Sequence, residues 1–296
     1  QLTRRQRQMC IRDSAGTELH HAIKVMEDMA NENTSFTVDV LGEDITSIEE
    51  TEWFVTEYQD LIKAISTSKI DAHISLKPTA FGLDIDYDHA LSTISELAKL
   101  ASDFDIFVRL DMEDSDHTES TLRMTEDLHK LGHRNTGVVL QGRLFRTLDD
   151  LERLSASLGP DADVRICKGI YLEHPDIAYT GYNDIVRATS AAVSKALDLG
   201  MYVGVASHDH PVINSTIKSL DERNFVFPGQ DPREPAPTKR EGKGNGYEFQ
   251  FLLGVRGDVR RRLASEGHLT RVYLPYGEQW YEYSMRRLRE NPGIAW

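Results

Sequence analysis

Short apolar runs alternate with amphipathic stretches along nearly the whole chain. Phe36–Leu41, Ala72–Leu76, Ile106–Leu110, Gly137–Leu140, Val164–Cys167, Tyr202–Ala206, Tyr247–Leu252 and Arg271–Tyr276 read as buried strands, apolar along their length. Between them the apolar positions recur every three or four residues, which predicts helices. These fall near Ser47–Ile65, His89–Ala101, Thr118–Leu131, Leu148–Leu158, Asp184–Leu199, Pro211–Leu220 and Asp258–Ser265. Ser47 and Glu50 have the spacing of a capping box. A leading helix within 14–34 carries Leu19, Ile23, Met26 and Met29 on one face. Strict alternation over eight strand–helix units predicts an α/β chain folded as a distorted (β/α)8 TIM-type barrel over 35–296. A doubly wound open sheet is the alternative.

Two stretches break the rhythm. Residues 1–13 share no periodicity with the rest of the chain and are expected to be a non-native leader. Residues 225–246 gather Pro, Gly and charge between a helix and the next strand. In a barrel such a connection lies on the face away from the chemistry, so an insertion loop is expected. Its Gly242-Lys243-Gly244 lacks the spacing and the Ser/Thr of a phosphate loop.

Composition narrows the partners. A formal net charge of -14 argues against nucleic acid. No apolar run reaches membrane-spanning length, which leaves peripheral contact with a membrane surface open. Two cysteines, Cys10 and Cys167, exclude a disulfide framework and point to a reducing cytoplasm.

Candidate chemistry collects where strands end, since that face carries the active site of such barrels. Those ends hold Glu43, Lys77, Asp111 with Glu113, Gln141, Arg165 with Lys168, His208, Gln250 and Tyr273. Taken singly, Glu113 or Gln250 reads better as a satisfied core group. After Gly277 a final helix is predicted to lie over the mouth. Tyr283, Arg286, Arg287 and Glu290 share one face of it at i, i+3, i+4 and i+7. Two adjacent guanidiniums can fix a carboxylate in one orientation. With Lys77, Arg165 and Lys168 they predict a cationic mouth. The aromatic residues Tyr171, Tyr273, Tyr276, Trp280 and Tyr283 suit a flat or apolar body beside it. A small carboxylate substrate beside a larger phosphate-bearing cofactor fits both features. His208 and His210, with Asp111, allow a rival reading as a metal-dependent barrel hydrolase. Against it, Asp209 is a natural N-cap and only His208 is well placed to face the mouth. No G-x-G-x-x-G follows a strand, and no Ser/His/Asp elbow occurs.

From Thr17 to Glu290 the chain resembles the proline dehydrogenases, in their short bacterial monofunctional form. The resemblance rests on Asp39-Val-Leu-Gly-Glu43, Ser75-Leu-Lys77, Arg109-Leu-Asp111-Met-Glu113, Arg165-Ile-Cys-Lys168-Gly169-Ile-Tyr171, Ser207-His208 and Glu248-Phe-Gln250. It also rests on the closing Tyr-Gly-x-x-Trp-x-x-Tyr-x-x-Arg-Arg-x-x-Glu. It implies a cytoplasmic flavoprotein with non-covalent FAD, oxidising L-proline to Δ1-pyrroline-5-carboxylate and passing electrons to a quinone. A downstream pyrroline-5-carboxylate dehydrogenase is an implied partner. Lys77, Arg286 and Arg287 would hold the proline carboxylate, with Asp111 near the amine. Tyr171, Tyr273 and Tyr283 would pack around the ring. Arg165 would sit beside the flavin. Met112, Gln141, Lys168, Gly169, Ile170, Ser207, His208 and Gln250 would bind FAD, while Glu43, Arg286 and Glu290 would form a gate. The chain departs from the family pattern in its long 225–246 connection, in Ser207 for Thr, and in Ile170 for Ala, which would tighten the pocket. It also lacks most of the family's leading helices and looks cut short after Trp296. A barrel that binds an amino acid as a sensor, without turnover, is a further reading.

Overall fold

A computed structural model of the protein describes residues 15–42, 45–68, 70–225 and 246–277. Eight parallel strands close into a barrel in sequence order. They are β1 Ser35–Val40, β2 Ala72–Leu76, β3 Val108–Leu110, β4 Thr136–Gln141, β5 Asp163–Cys167, β6 Tyr202–Ala206, β7 Gly246–Leu252 and β8 Thr270–Tyr276. The open-sheet alternative is excluded by pairing of β1 with β8, from Ser35 opposite Arg271 to Val40 opposite Tyr276.

Helix α1, Leu19–Met29, precedes the barrel. The connecting helices are α2 Thr51–Ser68, α3 Tyr87–Asp103, α4 Thr118–Lys130, α5 Thr147–Leu158, α6 Tyr182–Asp198, α7 His210–Glu222 and α8 Gly257–Ser265. The Ser47/Glu50 capping box forms, on a single helical turn that leads into α2. No helix among the described residues is long and apolar enough to cross a membrane. The predicted final helix, the leader 1–13 and residues 226–245 of the expected insertion lie outside the described residues.

The barrel interior departs from the expected apolar strands. Arg109, Asp163, Glu248 and Arg271 are all at most 2% exposed, on β3, β5, β7 and β8. They form two ion pairs. Arg109 Nη2 donates to Asp163 Oδ1 at 2.5 Å, and its Nη1 donates to the carbonyls of Asp163 and Val138 at 2.8 and 3.2 Å. Arg271 donates through Nε and Nη2 to Glu248 at 2.6 and 3.2 Å. Buried charges are tolerated only when paired and hydrogen-bonded, and each guanidinium here meets both a carboxylate and a backbone carbonyl. The apolar residues of the strands point instead to the helices. Val38, Ile74, Val108, Val138, Val164, Val203, Phe249 and Val272 join that outer core with the buried faces of the helices.

Tyr58 connects this shell to the strands. Its hydroxyl, on α2, donates to the Ser75 carbonyl at 2.6 Å and accepts from the Val40 amide at 3.2 Å. One side chain thus ties β1 to β2 just below the ends that carry Asp39 and Lys77.

Gly137 marks how tightly the lower ion pair is packed. A Cβ there would lie 2.4 Å from the Asp163 carbonyl oxygen and 2.7 Å from Arg109 Nη1. Gly137→Ala is therefore expected to destabilise the barrel by about 1–3 kcal/mol through overpacking. Urea unfolding would read this as a lower midpoint; an unchanged midpoint would mean that the Arg109 pair moves aside freely.

Candidate active site

Arg165 stands at the centre of the mouth, 6% exposed, and reaches across the barrel from β5. Its Nη1 donates to Asp111 Oδ1 at 2.6 Å and lies 3.4 Å from Ser75 Oγ. Its Nε donates to Gln250 Oε1 at 2.6 Å. The guanidinium carbon lies 5.2 Å from the centre of the Tyr273 ring. Asp111 gathers the same elements: Ser75 Oγ donates to Oδ1 and the Tyr273 hydroxyl to Oδ2, both at 2.7 Å. Five strands thus hold one guanidinium–carboxylate pair in a single geometry, because alternate residues of a strand share a face. Ser75/Lys77, Arg109/Asp111, Asp163/Arg165, Glu248/Gln250 and Arg271/Tyr273 all obey that spacing.

Lys77 is paired beside it. Its ammonium donates to both carboxylate oxygens of Asp39, at 3.1 and 3.0 Å. Burial pushes the Asp39 carboxyl up to about 6, Lys77 opposes that rise, and the charge of Asp111 adds to it. Lys168 donates to Asp209 Oδ2 at 2.5 Å. Lys77, Arg165 and Lys168 therefore each face a carboxylate. These three of the cations expected to make the mouth positive are matched in charge, because that expectation counts neither Asp39 nor Asp209.

The edge formed by β4, β5 and β6 has a different character. Gln141 is 2% exposed; its Nε2 donates to the Glu113 carbonyl at 2.8 Å, while Oε1 has no donor among the described residues. Gly169 presses against that oxygen: a Cβ there would lie 2.7 Å from it, and the backbone φ of +93° disfavours other residues as well. Arg143 holds the loop after Gly169 by donating to the carbonyls of Tyr171 and Tyr179. The Ile170 side chain is 57% exposed, whereas Met112 is buried. Ser207 Oγ accepts from the Asp209 amide at 3.2 Å. His208 Nε2 accepts from the Leu252 amide at 3.0 Å, which places the proton of the neutral ring on Nδ1.

Several expectations change here. Asp209 holds the N-cap position of α7 but makes no capping bond, since Lys168 takes its carboxylate. The metal-hydrolase reading fails on geometry. His208 Nε2 is spent on β7, His210 Nε2 meets Arg256 at 2.7 Å, and Asp111 is engaged by Arg165, Ser75 and Tyr273. Among the described residues no cluster of His, Cys, Asp or Glu suits a metal ion. Glu113 accepts from the Thr79 amide and hydroxyl at 3.3 and 2.7 Å, a local structural role. Gln250, by contrast, reaches the centre of the site. Cys167 is partly buried, and burial pushes its thiol up to about 11. Glu43, Tyr283, Arg286, Arg287 and Glu290 lie outside the described residues. Asp39, Ser75 and Glu248 have no role in the sequence reading, although Ser75 and Glu248 sit two residues before Lys77 and Gln250 on the same strand face.

A sequence model of the family described as Proline dehydrogenase matches residues 22–295. The chain belongs to the proline dehydrogenase family. It is 34% identical to Proline dehydrogenase 2 of Bacillus subtilis (strain 168) over 277 residues, 94% of this chain and 84% of that one. Proline dehydrogenase of Deinococcus radiodurans is 32% identical over 285 residues, 95% of this chain and 86% of its own length. Among solved structures, proline utilization A (PutA) from Bdellovibrio bacteriovorus superposes with a TM-score of 0.83. That match covers 96% of this chain and 33% of the larger protein at 20% identity, and it speaks for the barrel alone. Proline dehydrogenases are in general flavin-dependent. The unpartnered, buried Gln141 Oε1 and the glycine beside it fit such a group, since a heterocyclic N–H would satisfy that oxygen.

The Asp39 carboxyl gives this family member a pH signature. Folded, it keeps its proton to about pH 6, against 3.8 for an ordinary aspartate. Between those values the folded chain binds more protons than the unfolded one, so stability falls as pH rises through the window. Relative to Asp39→Asn, the wild type is expected to lose on the order of 2–3 kcal/mol between pH 4 and pH 7. Parallel urea titrations of the two proteins test this; a constant difference would show that Asp39 titrates normally.

Proposed function

We propose that this chain oxidises L-proline to Δ1-pyrroline-5-carboxylate, with FAD as the bound cofactor and a quinone as the final electron acceptor. The observation that carries the reading is the braced Arg165, a buried guanidinium fixed from several strands at the centre of the mouth. Its family membership supplies the substrate class. When bound, FAD supplies the acceptor for the hydride that leaves the carbon next to the proline nitrogen.

The protein's share of the work is orientation and electrostatics. Lys77 is the described member of a carboxylate clamp that Arg286 and Arg287 complete. Proline binding then sets its carboxylate against Asp39 for the same ammonium. Tyr171, Tyr273 and Tyr283 flank the ring, and Asp111 lies toward the amine. Hydride departure needs a neutral amine. Because Lys77, Arg165 and Lys168 are each matched by a carboxylate, burial is the main effect that disfavours the ammonium form. Arg165 stabilises negative charge as electrons arrive. Gln141, Gly169, Ile170 and Met112 are the candidates to hold the flavin on one side, with Lys168, Ser207, His208 and Gln250 on the other. Glu43, Arg286 and Glu290 form the gate. Peripheral contact with a membrane would bring the quinone within reach. The cyclic imine product opens in water to an aldehyde, which suits an aldehyde-oxidising partner such as pyrroline-5-carboxylate dehydrogenase.

The test is visible absorption under anaerobic conditions. Purified protein is expected to be yellow and to bleach on adding L-proline. Colourless protein, or colour that proline leaves unchanged, would overturn the reading; a thermal shift with proline but no bleaching would favour a sensor. Arg287→Ala is expected to raise KM for proline about tenfold or more, the equivalent of one charged hydrogen bond, with flavin content kept. Unaltered proline kinetics in that variant would remove the clamp.

A further inference from the structure

We infer that Glu248 is a positioning residue that sets the orientation of Arg165 through the amide of Gln250. This deepens the proposed reaction and rests on the placement of Arg165 at its centre. Gln250 lies between two groups of opposite hydrogen-bonding chemistry. Its Oε1 accepts from Arg165 Nε at 2.6 Å, and its Nε2 donates to Glu248 Oε1 at 2.7 Å. A guanidinium only donates and a carboxylate only accepts, so a flipped amide would lose both bonds. Glu248 therefore dictates which end of Gln250 faces the site.

Glu248 is itself fixed. Arg271 donates to both of its oxygens, and the Tyr202 hydroxyl donates to Oε2 at 3.1 Å. Arg271 is anchored in turn on the Phe36 carbonyl. The chain of contacts runs from the lower barrel to the mouth with a donor facing an acceptor at every step.

A second observation supports the path. Gly204 stands in register between Arg165 on β5 and Glu248 on β7. A Cβ at Gly204 would lie 2.4 Å from Gln250 Nε2 and 2.9 Å from its Cδ. The glycine clears the corridor through which the amide reaches Arg165.

The experiment compares Glu248→Gln, Gly204→Ala and the exchange Glu248→Gln with Gln250→Glu. In the exchange, the amide placed at position 248 accepts from Arg271 and donates to the carboxylate placed at position 250. That carboxylate accepts from Arg165, so the bond to Arg165 Nε and the net charge are kept, while Arg271 retains one of its two bonds to position 248. The readouts are the Arg165 Nε–H proton resonance, identified by its loss in Arg165→Lys, and the kcat and KM for proline. In Glu248→Gln and in Gly204→Ala the resonance is expected to shift and to exchange faster with water. In both, kcat is expected to fall about 10- to 100-fold, the scale of a small misplacement. KM should stay within about threefold, because the carboxylate is held elsewhere. The exchange is expected to move the resonance back toward its wild-type position relative to Glu248→Gln. If Glu248→Gln does not fold, Gly204→Ala carries the comparison. A wild-type resonance in Gly204→Ala or Glu248→Gln overturns the proposal. Should the wild type fail to oxidise proline, the resonance still tests the positioning, so the two failures are separable.

Discussion

The structure depends on holding charge inside a closed barrel. Four guanidinium or ammonium groups, on Arg109, Arg165, Arg271 and Lys77, enter the interior, and each is met by a carboxylate from another strand. Leaving any one of these unpaired would cost several kcal/mol, on the order of 3–5 for a buried pair that loses a member. That constraint explains why the polar residues occur at alternate strand positions. It also explains why the apolar core lies outside the strands, between them and the helices.

The two levels of ion pairs do different things. The lower pairs, Arg109–Asp163 and Arg271–Glu248, end on backbone carbonyls and are buried. The upper pairs sit at the mouth, where a ligand carboxylate can compete for the same donors. In the proposed reaction Lys77 would exchange Asp39 for the substrate carboxylate, helped by the burial that drives Asp39 toward protonation. Arg165 cannot exchange partners so simply, being held by Asp111, Gln250 and the Tyr273 ring together.

The barrel was legible because its signals are local. Strand limits moved by at most two residues, as Ile106–Leu110 became Val108–Leu110, and Ala72–Leu76 and Tyr202–Ala206 were unchanged. The ends of strands named most of the residues that meet at the mouth. What escaped was pairing. Nothing at Asp39 or Asp209 says in one dimension that a lysine from the next strand, or from a distant loop, will take its carboxylate. In sequence Asp163 falls just outside a predicted strand and Arg271 at the edge of one, while Arg109 lies within one, and hydrophobic periodicity by itself assigns such charges to surfaces. Only closure of the barrel, bringing β5 opposite β2 and β3, makes an inward arginine the more favourable arrangement.

Tyr58 carries a consequence for how this site can change over generations. The phenol sits on an outer helix, never approaches the mouth, and yet spans the seam where β1 and β2 deliver Asp39, Ser75 and Lys77. A drift in the tilt of that helix would be transmitted to the spacing of those three groups. Substitutions on the outer surface of α2 should therefore show epistasis with substitutions at the substrate's end of the barrel. A search for altered specificity that mutates only lining positions would miss that lever.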